Sequence, residues 1–514
     1  MNGLLRNTLL GSIGGVTATL GNFISSIILA RMLGADGSGA VAFVVWCGLA
    51  LATFCGLGLP LATTRYLPEM AQSAGRAGVA QFSRFAATPL LVAAGASIAV
   101  LLAISLTPGL SARLFPHTPL AMPLVCLALG LIAATQTLGE FTRAFLRGMN
   151  DFGTLALLMI ATGIAQVASA AIGSYVAGVN GAIAATLVPL ALPLVALYRI
   201  WPARETGEAE VPRARVRRYA RYRWASEILA LFVWSRIEVT FLQSFWGSHD
   251  VGLFTVGLTL ANMATQGPLM LTWALLPHLS RQVAEGDDDA VQATYASVTR
   301  ILAFILCPIA VGLAAILPSV VVLLYGADFV DAARPATILV LATGLAAVSV
   351  VGTNLMWAMD RSDVDFYSGL IGAALSIAGG LTLTRALGND GAALSRAITQ
   401  LACVGFSTWF LTSRLRIAIP IGALLRILVS AIVCGVLARL AIVALPGRIG
   451  IAPAILAGAL GYFVLVRLTS PLDATDWAQI EKLFALLPSP LRRSCEMLTA
   501  MLGRPASLAS ETTT

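Results

Sequence analysis

A single lysine, Lys482, stands among 514 residues, and it lies outside any glycine-rich loop. A Walker-type phosphate loop needs such a lysine, so ATP binding by that route is excluded. Histidine is almost as scarce. His117, His249 and His278 stand at the ends of apolar segments without partners at metal-ligand spacing, so no metal site is expected. Of the seven cysteines, Cys47, Cys55, Cys126, Cys307, Cys403 and Cys434 lie inside apolar segments, where they act as small hydrophobes. Charge is sparse too. With 11% charged and 58% hydrophobic residues and a mean hydropathy of +0.86, a soluble domain is ruled out. The first apolar segment is too long for a signal-peptide core and lacks an obvious cleavage site, so it is expected to be retained. Outer loops are short, which disfavours an enzyme, and no cofactor is implied.

What the chain does contain is length in apolar runs. About 20 apolar residues cross roughly 30 Å of hydrocarbon, and fourteen such stretches occur: 8–30, 40–62, 85–106, 120–142, 154–176, 181–200, 224–246, 252–276, 299–324, 335–357, 366–386, 391–412, 422–444 and 449–468. The expected fold is all-α and polytopic. The chain also repeats itself. FLRGMNDF around Asn150 returns as LMWAMDRS around Asp360, an offset of 360 − 150 = 210 residues. NGAIAA at Asn180 returns as DGAALS at Asp390 with the same offset. LGADGSGAVAF and WGSHDVGLFTV match at an offset of 213, which pairs Gly34 with Gly247 and Gly39 with Gly252. Self-similarity of this kind marks a duplicated architecture. It predicts an N-terminal lobe over 1–200, a basic linker over 201–223, a C-terminal lobe over 224–412, two extra helices over 413–468 and an amphipathic tail over 469–514. Two such lobes place a binding cavity at their interface that opens to alternate sides.

Basic residues set the orientation, because they are retained in cytoplasmic loops. Only Arg31, Arg113, Arg334 and Arg448 fall in the opposite set of loops, so both termini are expected inside. The net charge of +8 owes much to Arg213, Arg215, Arg217, Arg218, Arg221 and Arg223. A juxtamembrane cluster of this kind attracts anionic membrane lipids, at about 1 kcal/mol per charge, and nucleic acid is not expected. In the tail, Trp477, Ile480, Leu483, Phe484 and Leu487 recur at helical spacing, as in a helix lying on the inner leaflet.

Polar groups at membrane depth must face protein or water. Gln136, Glu140, Arg143 and Arg147 are spaced by four, three and four residues, which places them on one helix face. The second lobe has Ala346, Val350, Thr353 and Trp357 at the matching positions, so duplication alone does not account for the stripe. It suits a phosphate-bearing ligand. It also suits a local Glu140 to Arg143 pair with Arg147 as a topology charge, and the sequence leaves both open. Arg236 and Glu238 fall inside the seventh segment, where each ionised group costs at least about 2.5 kcal/mol unless compensated. On one helix they would diverge by roughly 200°, so Glu238 is either a proton-exchanging carboxylate or half of an inter-helix pair, and Glu140 is the second candidate for ion coupling. Thr255, Thr259, Asn262 and Gln266 form a neutral stripe suited to sugar hydroxyls or to helix-to-helix bonding. Arg396 and Gln400, one turn apart, carry the same two meanings.

SSIILARMLGADGSGAVAF, GLGLPLATTRYLPEM, SRIEVTFLQSFWGSHDVGLFTVG and LLYGADFVDAARPATIL resemble stretches of the polysaccharide transporter family, the Wzx-type flippases of the multidrug/oligosaccharidyl-lipid/polysaccharide exporter superfamily. The resemblance covers essentially the whole membrane domain. It implies transfer of an undecaprenyl-pyrophosphate-linked oligosaccharide across the bacterial inner membrane by alternating access, with polymerase and chain-length regulator proteins as partners. It implies that Arg65, Arg143 and Arg147 engage the pyrophosphate or acidic sugars near the inner entrance. Glu238 stands where the family pattern leads one to expect Asp, which preserves charge but lengthens the arm. Three alternatives are a multidrug antiporter of the same superfamily, a lipid II flippase and, more distantly, a polyprenyl-dependent glycosyl transferase or polymerase. An antiporter would favour acidic and aromatic groups for organic cations, against which the basic stripe argues.

Overall fold

The computed structural model describes residues 2–107, 122–197, 210–233, 235–272 and 275–484. Arg113 and His117, the first part of the expected linker and the tail beyond residue 484 lie outside them. Among the described residues the regular structure is all helical, with no strand. Nine helical runs are long and apolar enough to cross a membrane, or ten if the bent pair Arg213–Val233 and Glu238–Phe245 counts as one span. Three of these runs, Gly14–Gly56, Phe152–Ala196 and Ser362–Ser413, each hold two of the fourteen expected stretches, the bent pair holds the seventh, and the eighth falls on Ser248–Leu269, which is not among the runs. Four runs are 43 to 52 residues long, roughly 65–78 Å if straight, about twice the hydrocarbon thickness. Each is broken by a glycine at positive φ: Gly34, Gly75, Gly178 and Gly388. The connection expected over 63–84 is helical apart from Gly75.

In chain order the helices are α1 (Asn2–Gly56), α2 (Leu59–Ser105), α3 (Met122–Gly148), α4 (Phe152–Ala191), α5 (Arg213–Val233), α6 (Glu238–Phe245), α7 (Ser248–Leu269) and α8 (Leu275–Glu285). They continue as α9 (Asp288–Tyr325), α10 (Ala333–Ala347), α11 (Val350–Ala358), α12 (Ser362–Gly379), α13 (Arg385–Ser413), α14 (Ile421–Ala444), α15 (Ile451–Thr469) and α16 (Ala474–Phe484).

The sequence repeat recurs in the backbone. Asn150 and Asp360, both at φ 57°, end α3 and α11. Asp151 N–H donates to Leu146 O and Arg361 N–H to Met356 O, the six-to-one bond of a Schellman stop, in both copies. Gly178 (φ 55°, ψ −133°) and Gly388 (φ 56°, ψ −129°) then reverse α4 and α13 in the same way. Above each bend a glycine, Gly181 or Gly391, lets its helix lie against a partner carbonyl, that of Gly173 or Leu383, 210 residues apart.

The chain divides into two compact units, one made of Met1–Val256 with Ser376–Ala392, the other of Gly257–Leu375 with Ala393–Thr514. In the first, α1 lies against α4 where Gly21 meets the Gly163 backbone and Gly14 meets Ala156 and Met159. Small residues allow this close approach in lipid. One core of it joins Tyr66, Leu67, Phe82 and Leu90 of α2, Phe141 and Phe145 of α3, and Val216 and Ala220 of α5. In the second, α14 and α15 pack on α9 through Cys307, Ala431, Cys434 and Tyr462. The Tyr462 hydroxyl donates to Phe304 O at 2.7 Å.

Candidate functional site

The polar stripe of α3 forms a bonded array. Arg143 Nη2 lies 2.9 Å from Glu140 Oε1, and Arg147 Nη2 lies 3.6 Å from Glu140 Oε2. Gln136 closes the chain. Its Nε2 donates to Glu140 Oε1 and its Oε1 accepts from Arg143 Nη2, both at 3.4 Å. One carboxylate is thus shared by two guanidinium groups, leaving one positive charge in excess. Glu227 on α5 lies within electrostatic range of Glu140 and of Arg223. It escaped notice in the sequence because it stands beside the arginine cluster, on a helix 87 residues further along (227 − 140).

Arg65 belongs to the same region but not to this array. Thr64 Oγ1 donates to Ala144 O, and Gly148 packs on Leu67 and Thr63, so α2 runs beside the end of α3 that carries Arg147. The Arg65 guanidinium instead covers the rings of Tyr66 and Tyr219, 5.6 and 5.5 Å from their centroids. Arg215 pairs with Glu69 at 3.0 Å and also stacks on Tyr66. Part of the arginine cluster therefore fastens α5 to α2 through aromatic rings.

Arg236 and Glu238 do not share a continuous helix. The chain is non-helical at Ser235 and Arg236, and α6 starts at Glu238, so the 200° divergence does not apply. The break is held against α1, where Trp46 Nε1 donates to Ser235 Oγ and Trp224 Nε1 to Phe54 O. Glu238 is 1% exposed. It occupies the first turn of α6, where free backbone N–H groups favour a negative charge.

On α7, Thr255 donates to Val251 O of its own helix, Thr259 and Asn262 are half-buried, and Gln266 is exposed. Arg396, 4% exposed, and the buried Gln400 lie on α13, and Gln400 Oε1 accepts from Thr343 Oγ1 of α10 at 3.4 Å. Sequence spacing gave no sign of Thr343. Among the described residues no group of His, Cys, Asp and Glu could hold a metal.

A second cluster joins three bends inside the first unit. Gly39 packs on the Ser248 carbonyl and on Gly252 N, and Gly252 packs on the Ala35 carbonyl. At the offset of 213, Ala35 corresponds to Ser248 and Gly39 to Gly252, so each copy of the repeat makes the same contact to the other. That reciprocity defines a pseudo-twofold axis. Asp36 and His249, also equivalent, meet at 3.3 Å. Asn389 Nδ2 donates to Asp250 Oδ1 at 2.6 Å, and Trp246 Nε1 donates to Thr384 O at 2.9 Å. Matching the repeats side chain by side chain would have flagged the Asp36 and His249 pair.

Burial pushes the Asp250 carboxyl above its ordinary range; His249 and the Asn389 amide pull it down, and Asp36 adds to the rise. A raised carboxyl pKa means that the packed state holds more protons than the open one, so its stability falls as pH rises from 3.8 through the raised value. Asp250→Asn keeps an oxygen for Asn389 and removes the charge. Exchange protection of residues 246–252 is expected to decline with rising pH in the wild type and to stay level in Asp250→Asn, compared pH by pH. Parallel profiles would count against this.

Comparison with known proteins follows the same lines. The family model described as Polysaccharide biosynthesis protein matches residues 4–283, and that described as Lipid II flippase MurJ matches residues 268–456. No curated protein matches. Among solved structures, lipid II flippase MurJ in an inward closed conformation aligns with a TM-score of 0.72 at 13% identity, covering 90% of this chain and 98% of that one. An inward-facing multidrug resistance MATE family transporter of the MOP superfamily aligns at 0.60 and 16%, covering 78% and 94%. A MATE transporter of Vibrio cholerae aligns at 0.53 and 15%, covering 80% and 97%. At these identities the likeness is one of fold.

Proposed function

Because this chain belongs to the polysaccharide biosynthesis protein family and has the multi-pass fold of MOP-superfamily transporters, we propose that it flips a polyprenyl-pyrophosphate-linked oligosaccharide across the bacterial inner membrane by alternating access. Both termini are cytoplasmic in this reading. The cargo poses a physical problem that such a protein solves. Each desolvated hydroxyl or phosphate costs several kcal/mol in hydrocarbon, whereas a polyprenyl tail stays in lipid.

The observation that carries the reading is the Glu140 carboxylate held by Arg143 and Arg147. A carboxylate is a weaker match than a pyrophosphate for two planar forks of donors. The cargo's phosphates exchange with Glu140 for the same guanidinium groups, and Glu140 returns on release, so the arginines are never left without a counter-ion. Arg65 serves the approach to this array. Glu238 is the carboxylate for ion coupling, and Arg236, Thr259, Asn262, Gln266 and Arg396 serve the glycan.

The test is reconstitution in vesicles with a fluorescent polyprenyl-pyrophosphate oligosaccharide. Arg143→Ala and Arg147→Ala are each expected to slow its passage roughly tenfold or more, the loss of one charge-assisted bond of about 1.5–3 kcal/mol. Glu140→Gln is expected to tighten retention of the cargo. Wild-type transport in the double arginine variant would remove the proposed role. The match of residues 268–456 to the lipid II flippase model favours a second reading, a lipid II flippase. The two are separated by whether cells make peptidoglycan without this chain.

A further inference from the structure

Where α12 begins and α13 ends, the second unit holds a cavity of about 410 Å³ lined in part by Arg361, Asp363, Tyr367, Trp409, Phe410 and Arg414. Its two arginines are unlike. Arg361 is fixed, with Nε and Nη2 donating to the two oxygens of Asp363 at 2.9 Å each and its guanidinium 4.6 Å above the Phe410 ring. Arg414 lines the same space, and among the described residues it has no carboxylate within ion-pair distance. The lining thus carries two guanidinium groups and one carboxylate, a single positive charge in excess. Tyr367 and Trp409 are half-exposed beside it, with Phe366 next in line. They stand at the ends of two apolar spans, where amphipathic aromatic rings settle at the headgroup level of a bilayer.

We propose that this cavity binds the headgroup of an anionic glycerophospholipid of the cytoplasmic leaflet. The phosphodiester accepts from Arg414 and from the edge of Arg361 that Asp363 leaves free, and the glycerol and ester region lies along Tyr367 and Trp409. Charge argues for a phosphodiester over a pyrophosphate, since one negative charge balances the lining and two or three do not. The flanking aromatics argue for a lipid over free phosphate, which would make no use of them. The site rests on the membrane orientation proposed above and not on the cargo.

Native mass spectrometry of the full chain tests it, with phosphatidylglycerol or phosphatidylcholine added to the detergent-solubilised protein. The wild type is expected to retain phosphatidylglycerol over phosphatidylcholine. Arg414→Gln is expected to reduce that retention about tenfold, the loss of one charge-assisted bond, and Arg414→Lys to restore part of it. Equal retention of both lipids would overturn the proposal. So would undiminished retention in Arg414→Gln, which would place the lipid elsewhere, such as on the arginines of α5. Displacement by inorganic phosphate or by polyprenyl pyrophosphate at matched concentration would also overturn it. In phosphatidylcholine vesicles Arg414→Gln is expected to flip the oligosaccharide at the wild-type rate, which separates failure of this site from failure of the transport reading.

Discussion

Asp476→Ala is expected to detach α16 from α9. The Asp476 side chain is 0% exposed, and the Arg300 side chain that holds it is 13% exposed. Arg300 Nε donates to Asp476 Oδ2 at 2.7 Å and Nη2 to Oδ1 at 3.0 Å, while Ser297 Oγ donates to Oδ1 as well. The remaining capacity of Oδ2 is taken by the Asp473 N–H at 2.9 Å, so Asp476 also caps the start of its own helix. Removing one partner of a buried ion pair costs about 3–5 kcal/mol, because the other is left without a counter-charge. Here Asp473, 2.9 Å from Arg300 but largely exposed, offsets only part of that loss. The packing that depends on the pair is modest: Trp477 edge-on to Phe304, and Ile480 buried with Ile301 and Leu472. Exchange protection over 474–484 is expected to disappear in Asp476→Ala and in Arg300→Ala, and to return in part in Arg300→Met with Asp476→Leu, where neither charge is buried. Retained protection in both single variants would show that the apolar contacts alone hold the helix.

This pair also marks what spacing can and cannot tell. Trp477 and Ile480 announce an amphipathic helix in the sequence, and the helix is there. Its apolar side nevertheless meets α9, because Arg300, 176 residues earlier (476 − 300), supplies a buried charge that no local pattern reveals. The same division runs through the fold. Apolar length and the repeat were legible, since both are properties of consecutive residues. Three of the breaks were legible too, because Gly34, Gly178 and Gly388 fall in the gaps expected between apolar stretches; Gly75 was not, because the chain on both sides of it was read as one connection. In the site, the stripe from Gln136 to Arg147 was legible from spacing and is bonded as one array. Glu227, Thr343 and the stacking of Arg65 on Tyr219 were not legible, because each depends on a helix distant in sequence.

The reciprocal contact at Gly39 and Gly252 gives the duplication a mechanical meaning. Basic residues place these bends on the outer side in the proposed topology, so a closed contact here accompanies access from the cytoplasm. In the proposed alternating-access cycle this contact parts and re-forms. Besides the Asp36 and His249 pair, the Asn389 bond to Asp250 and the Trp246 bond to the Thr384 carbonyl, the approach of Gly39 to Gly252 is made by backbone.

Gly39→Ala and Gly252→Ala are expected to hold this contact open. A methyl group on Gly39 would lie 2.6 Å from Gly252 N and closer still to the Ser248 carbonyl oxygen; one on Gly252 would collide with the Ala35 carbonyl. The obstructing atoms are backbone in every case, so no side chain can rotate aside and the helices must separate. Overpacking of this kind costs about 1–3 kcal/mol, which lowers the population of the closed contact by roughly 5- to 150-fold relative to the open one. The two variants are expected to behave alike, because the pseudo-twofold axis carries one glycine contact onto the other. Each should lose exchange protection at residues 246–252 and at 384–391, and each should slow transport by depleting the state that receives cargo from the cytoplasm. Gly95→Ala serves as the control, since a methyl group there meets nothing within 4 Å. Wild-type protection at 246–252 in Gly39→Ala, matching Gly95→Ala, would mean that the contact yields without opening and that it does not gate the outer side.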